Sequence, residues 1–194
     1  EIFFSACLAI LFVVFISKDT GDNFLLLCWV SITTAILTFR FIFVQWFANI
    51  ADNNIHHYHI NLFVIIMFVW GISWGTGTML FFPALDTLQQ AAWFAMFMVM
   101  IAASATSHSV YMPAFFAFSL PFFAGILWVV ATIYPSEYHI NAIILTLVMI
   151  TQIGAAKKGQ KVILESLRLR YENSGLIERL KKERDSANKA NNAK

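Results

Sequence analysis

Six apolar runs, separated by short polar segments, constrain this chain more than any other feature of its sequence. They cover residues 2–16, 24–47, 60–82, 88–107, 111–133 and 139–156. A helix that crosses a bilayer needs about 20 mostly apolar residues, and most of the runs approach or reach that length. In lipid the backbone satisfies its hydrogen bonds only as helices or as a closed barrel, and these runs are too long and continuous for barrel strands. The sequence therefore predicts an all-α membrane bundle of six transmembrane helices.

Composition agrees with a lipid environment and divides the chain in two. Charged residues make up 12% of the chain and its mean hydropathy is +0.70, whereas a typical soluble domain is about 25% charged. Eleven of the 13 Lys and Arg residues lie at or after Lys157, and only Lys18 and Arg40 precede it. We therefore divide the chain into a transmembrane domain, 1–156, and a basic cytoplasmic segment, 157–194.

The distribution of basic residues also predicts the orientation in the membrane. Cytoplasmic loops are enriched in Lys and Arg, and Lys157, Lys158 and Lys161 directly follow the last apolar run. This places the C-terminus in the cytoplasm, and six spans place the N-terminus there as well. Arg40 lies near the inner end of the second run, where its long side chain can snorkel to the interface. The loops expected outside are 17–23, 83–87 and 134–138, and those expected inside are 48–59 and 108–110.

Histidines are concentrated at the side of the bundle that this topology places in the cytoplasm. His56 and His59 are three residues apart, as two ligands on one helix face would be, and His57 lies between them. No cluster of Cys or carboxylate residues completes a metal site around them. We predict that they form an interfacial segment with amphipathic rings at the headgroups, and no metal site. His108 follows the hydroxyl-rich stretch 104–107, where we expect a hydrogen-bonded structural histidine.

Aromatic residues of the third run have two interpretations. Trp70 and Trp74 lie four residues apart on one helix face and are followed by Gly75 and Gly77. Small residues let a neighbouring helix approach closely, so helix packing is the first interpretation. The second is a ligand cavity, because apolar pockets between helices are common binding sites. The residues that we assign to such a cavity are Trp70, Trp74, Trp93, His108 and Trp128.

The basic segment carries a short and imperfect heptad pattern. Leu169, Asn173, Leu176 and Leu180 step by four and three residues, which is the spacing of a coiled-coil seam. An Asn at such a core position sets register and oligomer state. We therefore predict that the sixth helix continues into a parallel, two-stranded coiled coil. A basic helix lying on anionic lipid is the alternative.

Three stretches resemble parts of bacterial membrane sensor histidine kinases. The segment LRLRYENSGLIERLKKERDSANKANNAK (167–194) resembles the linker that precedes the phosphoacceptor region of these kinases, often hybrid ones. The segments WGISWGTGTMLFFP (70–83) and AFFAFSLPFF (114–123) resemble elements of their six-span input domains. The resemblance implies a multi-pass protein of the bacterial inner membrane that works as a homodimer. The resemblance also implies that the protein senses a small-molecule or membrane stimulus and controls a kinase that follows residue 194.

The resemblance assigns partners to the kinase portion and no chemistry to this chain. It implies ATP as the cofactor of that portion, a response regulator or receiver domain as its protein partner, and membrane lipid but no nucleic acid around the input domain. None of the five histidines matches the phosphoacceptor motif, and no nucleotide-binding motif is present. We therefore assign no catalytic residue, metal or cofactor to the chain itself.

Two other functions stay open at the level of sequence. Diguanylate cyclases use similar membrane inputs and coiled linkers, so the chain suits the input domain of such a cyclase as well. A small transporter or channel subunit is the third candidate. Intramembrane charges or inverted repeats would support it, and the spans offer no convincing example of either.

Overall fold

A computed structural model gives the fold and describes residues 2–17, 23–49, 57–133 and 138–192. Within these ranges the chain is helical apart from short turns and contains no strand, so the predicted all-α class is confirmed. The helices are α1 (Ile2–Ser17), α2 (Asn23–Asn49), α3 (His57–Phe81), α4 (Thr87–Ser107), α5 (Met112–Ile133) and α6 (Tyr138–Asn192), with a 3₁₀ turn at Phe82–Ala84.

Five of the described helices are long and apolar enough to cross a membrane. The fifth stretch lies in α6, and only the first part of that helix is apolar. α1 is also apolar but has 16 residues, fewer than a full span requires. By length and composition the chain is therefore a helical membrane protein, while a sixth span stays a prediction. The five stretches are Asn23–Phe47, Tyr58–Ala84, Thr87–Ser107, Met112–Ile133 and Ile140–Arg184.

Close packing of α3 on α5 forms the centre of the bundle. A Cβ atom on Gly75 would lie 2.6 Å from the carbonyl oxygen of Pro121, and one on Gly125 would lie 2.7 Å from the Cα of Gly75. Real side chains do not fit at such distances, so only glycine allows the two backbones to cross here. α2 packs beside α3, and α6 packs against α4 and α5. The helix-packing interpretation of Gly75 is therefore confirmed.

Tryptophans fill the space between α2 and α3. Trp74 is fully buried and meets Trp29 and Trp70 edge to face, with ring centroids 5.5 and 5.9 Å away. The indole Nε1 of Trp29 donates to the carbonyl oxygen of Ser73 at 2.8 Å. Gly77 leaves room for the ring of Trp29, which would lie 2.6 Å from a Cβ atom at that position. The apolar core therefore pairs α2 with α3 through ring packing and a specific hydrogen bond.

α6 is one helix of 55 residues, and only its first part belongs to the bundle. Ala156 is fully buried and packs with Ala105 and Phe115. Beyond it, every side chain from Leu164 to Arg184 is exposed. At 1.5 Å per residue the helix extends roughly 50 Å past the end of its apolar part. One continuous helix therefore joins the last apolar run to the basic segment, while the coiled coil stays a prediction.

Candidate functional site

Arg40 of α2 is buried inside the bundle. Among the described residues it is the only Lys, Arg, Asp or Glu with a buried side chain, 8% exposed. It lies seven residues before Phe47, where the apolar stretch ends, which is about 10 Å along the helix axis. Its Nη2 donates to Nε2 of His108 at 3.0 Å. A charged group is thus held between α2 and the end of α4.

The hydrogen bonds of His108 fix its tautomer. A guanidinium only donates, so Nε2 of His108 must accept and the ring proton lies on Nδ1. Nδ1 is 3.1 Å from Oγ of Ser107 and 3.2 Å from Oγ of Ser104, and donates toward these hydroxyls. The hydroxyl of Ser107 donates in turn to the carbonyl oxygen of Ala103 at 2.7 Å. The prediction of a hydrogen-bonded histidine at position 108 is confirmed.

His108 lies one residue beyond α4, and its surroundings keep the imidazole neutral. Burial, followed by the positive charge of Arg40, lowers the pKa of His108 to about 3, against the opposite effect of a hydrogen bond with the backbone at Ser104. The Arg40–His108 pair therefore carries a single positive charge, on the guanidinium. Among the described residues, no carboxylate forms an ion pair with that charge.

Two cavities adjoin the Arg40–His108 pair. The head cavity, of about 230 Å³, is lined by both members of the pair and by Ser107. The apolar cavity, of about 380 Å³, lies between α2, α3 and the loop after α4. Val44 and Phe63 line both cavities, so the two cavities adjoin at apolar side chains. The head cavity is also lined by Leu37 and Phe41, and the apolar cavity by Phe43, Phe47, Ile60 and Tyr111.

The loop after α4 connects this site to α6. A Cβ atom on Gly159 would lie 3.2 Å from Oγ of Ser109, so the loop packs directly on that glycine. The side-chain amide of Gln160 donates to the carbonyl oxygen of Val110 at 3.3 Å. His108 is the residue immediately before this loop. A movement of the His108 ring could therefore be transmitted through this loop to the point where α6 leaves the bundle.

The tryptophans predicted for a ligand cavity lie apart from His108. Trp70, Trp74 and Trp93 are 2%, 0% and 0% exposed and belong to the packed core, whereas Trp128 is 47% exposed. None of the four lines the head cavity or the apolar cavity. Of the five residues, the structure therefore brings only His108 to the site described here. A ligand role for the tryptophans stays a prediction.

Sequence reasoning did not pair Arg40 with His108. The available signal was a single Arg inside a long apolar run without an acid, since intramembrane ionisable residues face the bundle interior and mark functional sites. Nothing in the local sequence indicates which partner such an Arg contacts. The pair joins residues 68 positions apart, so only the tertiary packing of α2 against the end of α4 identifies it.

The histidine cluster is described in part. His56 and the side chain of His57 lie outside the described residues. His59 packs its ring against Trp46 and Phe47, with centroids 5.3 and 6.3 Å away. Within the described ranges, no three His, Cys, Asp or Glu side chains come together as a metal ion would require. The absence of a metal site at the whole cluster stays a prediction.

The fold and the site together define the class as a helical membrane protein with a buried, singly charged Arg–His pair at one end of its bundle. No protein-family model matches the chain, and neither a curated protein nor a solved structure is similar to it.

Proposed function

We propose that the chain is the membrane input domain of a two-component sensor histidine kinase, with six spans and both termini in the cytoplasm. The main support for the proposal is that α6 is one unbroken helix of 55 residues that begins in the bundle. A continuous helix transmits a change of pose from one end to the other, which is what an input domain needs. The Lys and Arg residues that follow the apolar part of α6 support a cytoplasmic position for its free end.

Exposed leucines on the free part of α6 support a homodimer. Leu169, Leu176 and Leu180 are 55%, 54% and 64% exposed, on a stretch whose side chains are exposed throughout. Pairing two copies along this seam would remove apolar surface from water, by about 1.5–3 kcal/mol for each fully buried Leu. Asn173 at a core position favours the parallel, in-register pair. Residues 157–194 are then a dimeric signalling helix.

The mechanism that we propose is a population shift. A stimulus that binds one pose of the bundle better than another changes the proportion of the two poses. The contacts of Gly159 and Gln160 with the loop after α4 would pass this change to α6. The catalytic portion would follow residue 194, bind ATP and phosphorylate a response regulator or receiver domain. No residue of this chain takes part in that chemistry.

Insertions that change helical phase test this function. Residues 1–194 would be fused in frame to the catalytic portion of a sensor kinase, with one to four alanines inserted after Glu165. Each alanine rotates the following helix by about 100°, so four restore the phase within one turn. We expect autophosphorylation in membrane vesicles to shift with one or two alanines and to return toward its starting value with four.

The same series separates the proposed function from its rivals. If autophosphorylation does not change with the number of inserted alanines, at equal expression, a signalling role for α6 is contradicted. An input domain of a diguanylate cyclase would show the same dependence on helical phase, so the coding sequence after position 194 distinguishes these two. A transporter or channel subunit would instead give solute flux in proteoliposomes and no dependence on the insertions.

A further inference from the structure

We propose that the two cavities beside Arg40 bind an anionic amphiphile. Its carboxylate or phosphate head group would pair with Arg40 in the head cavity, and its hydrocarbon chain would lie in the apolar cavity. A charge removed from water is strongly destabilising unless it is paired. Arg40 is 8% exposed, and no carboxylate of the described chain pairs with it. The head cavity beside the guanidinium offers room for such an anion.

The donors of the site suit an anion with two or more oxygen atoms. A guanidinium presents five N–H donors in a planar fork, and carboxylates and phosphates bind such a fork with two parallel hydrogen bonds. Arg40 uses Nη2 on His108, which is neutral and supplies no negative charge. The hydroxyl of Ser107 lines the same cavity and adds a polar group beside the guanidinium. His108 thus orients Arg40 without neutralising it.

The neighbouring cavity suits hydrocarbon. Phe43, Phe47, Ile60 and Tyr111 present mainly apolar surface, and the volume of about 380 Å³ lies within the range of about 300–1,000 Å³ typical of ligand sites. A sugar or nucleotide would leave its polar groups unpaired against such walls. A charged head group joined to an apolar chain matches both cavities at once.

Exposed lining residues indicate the route of entry. Phe41 and Val44 are 43% and 42% exposed, and both belong to the apolar run that forms the span of α2. Because this run is long and apolar enough to span a bilayer, we infer that lipid would cover these exposed faces. The ligand therefore enters from the bilayer. This inference concerns binding alone and does not rest on the proposed signalling function, so either can fail without the other.

Photolabelling of a protein that contains residues 1–194 tests the proposal. The protein would be placed in nanodiscs of zwitterionic phosphatidylcholine and labelled with palmitate that carries a diazirine on its chain. We expect mass spectrometry to locate the label on peptides from α2 and α3 that line the apolar cavity. Arg40→Gln should lower this labelling about tenfold, the loss expected for one hydrogen-bonded charge. Arg40→Lys should retain part of it, because the charge remains.

Matched variants separate binding from folding. Arg168→Gln removes one positive charge from the exposed part of α6 and should leave the labelling unchanged. Val44→Trp keeps Arg40 but fills the space that the two cavities share, so it should also reduce labelling. It provides an independent test where Arg40→Gln does not fold. Full labelling of a folded Arg40→Gln or Val44→Trp protein would overturn the proposal.

Competition identifies the source of the anion. Displacement of the label by unlabelled palmitate supports a free carboxylate amphiphile, and displacement by phosphatidylglycerol supports the phosphate of a lipid head group. Methyl palmitate has the same chain without the charge and should not compete. Equal displacement by methyl palmitate, or no displacement by either anion, would overturn the proposal.

Discussion

At the scale of single residues, the neutral state of His108 determines how the site responds to acid. Its Nε2 accepts from Arg40, so protonation would break that hydrogen bond and place two positive charges 3.0 Å apart. Burial and the Arg40 charge lower the pKa of His108 to about 3, whereas an unfolded chain protonates its histidines near pH 6.5. The unfolded state therefore binds more protons between these two values. The stabilisation associated with neutral His108 is complete above about pH 6.5 and is lost as the pH falls toward 3.

We expect His108→Gln to reduce the acid sensitivity of the folded protein. The glutamine oxygen can still accept from Arg40, but the side chain cannot be protonated. Thermal unfolding in detergent micelles at about pH 7 and about pH 5 measures the effect, with Tm falling less in the variant than in the wild type. Equal falls in Tm for the two proteins would contradict the assignment of a buried neutral imidazole.

The candidate site was predictable only where its contacts are local in sequence. Ser104 and Ser107 lie within four residues of His108, so the hydroxyl-rich stretch indicated its hydrogen bonds. Arg40 is 68 residues away and meets His108 through packing between helices, which the local pattern does not encode. The same reason explains why the grouping of His108 with distant tryptophans was not reproduced in the cavities described here.

At the scale of helices, the crossing of α3 and α5 depends on glycine at particular positions. The backbone of Pro121 lies 2.6 Å from where a Cβ atom on Gly75 would be, and a backbone cannot rotate away as a side chain can. We expect Gly75→Ala to lower the free energy of unfolding by about 1–3 kcal/mol, the cost of overpacking a tight contact. Reversible unfolding in mixed micelles measures this change.

Gly154 provides the matched control for that substitution. It lies in α6, and nothing stands within 4 Å of where its Cβ atom would be. Gly154→Ala should therefore be neutral or stabilising by up to about 1 kcal/mol, through helix propensity alone. Equal destabilisation by the two substitutions would show that the close crossing is not what requires glycine at position 75.

The ends of the helices were largely predictable, because a long apolar run in lipid satisfies its backbone hydrogen bonds by forming a helix. The run 24–47 lies within α2, Asn23–Asn49, and the run 111–133 nearly coincides with α5, Met112–Ile133. Contacts between two helices were not predictable from the local sequence. Gly71 and Gly75 have the spacing of a close-packing motif, yet only the position of α5 shows that the crossing uses both. The capping box of Asp86 with Gln89, by contrast, is a local pattern that the sequence shows as Asp-x-x-Gln.

At the scale of the whole molecule, reporter fusions test the number and direction of the spans. Reporter fusions after residues 20, 86 and 137 should report the outside, and those after residues 53 and 160 the inside. The expectation follows from the basic residues that cluster after Lys157 and from the six apolar runs. An outside signal at residue 53 would contradict the six-span topology. α1 is its shortest element, with 16 residues.

Cysteine crosslinking in native membranes tests whether α6 pairs with a second copy across a two-fold axis. Single cysteines at positions 169, 172, 176 and 180 would be introduced after Cys7 and Cys28 have been replaced. Leu169, Leu176 and Leu180 lie on the proposed seam, whereas Glu172 forms an ion pair with Arg168 on the same exposed helix. The coiled coil predicts strong crosslinks at 169, 176 and 180 and a weak one at 172. A flat profile, or the strongest crosslink at 172, would contradict a dimeric signalling helix.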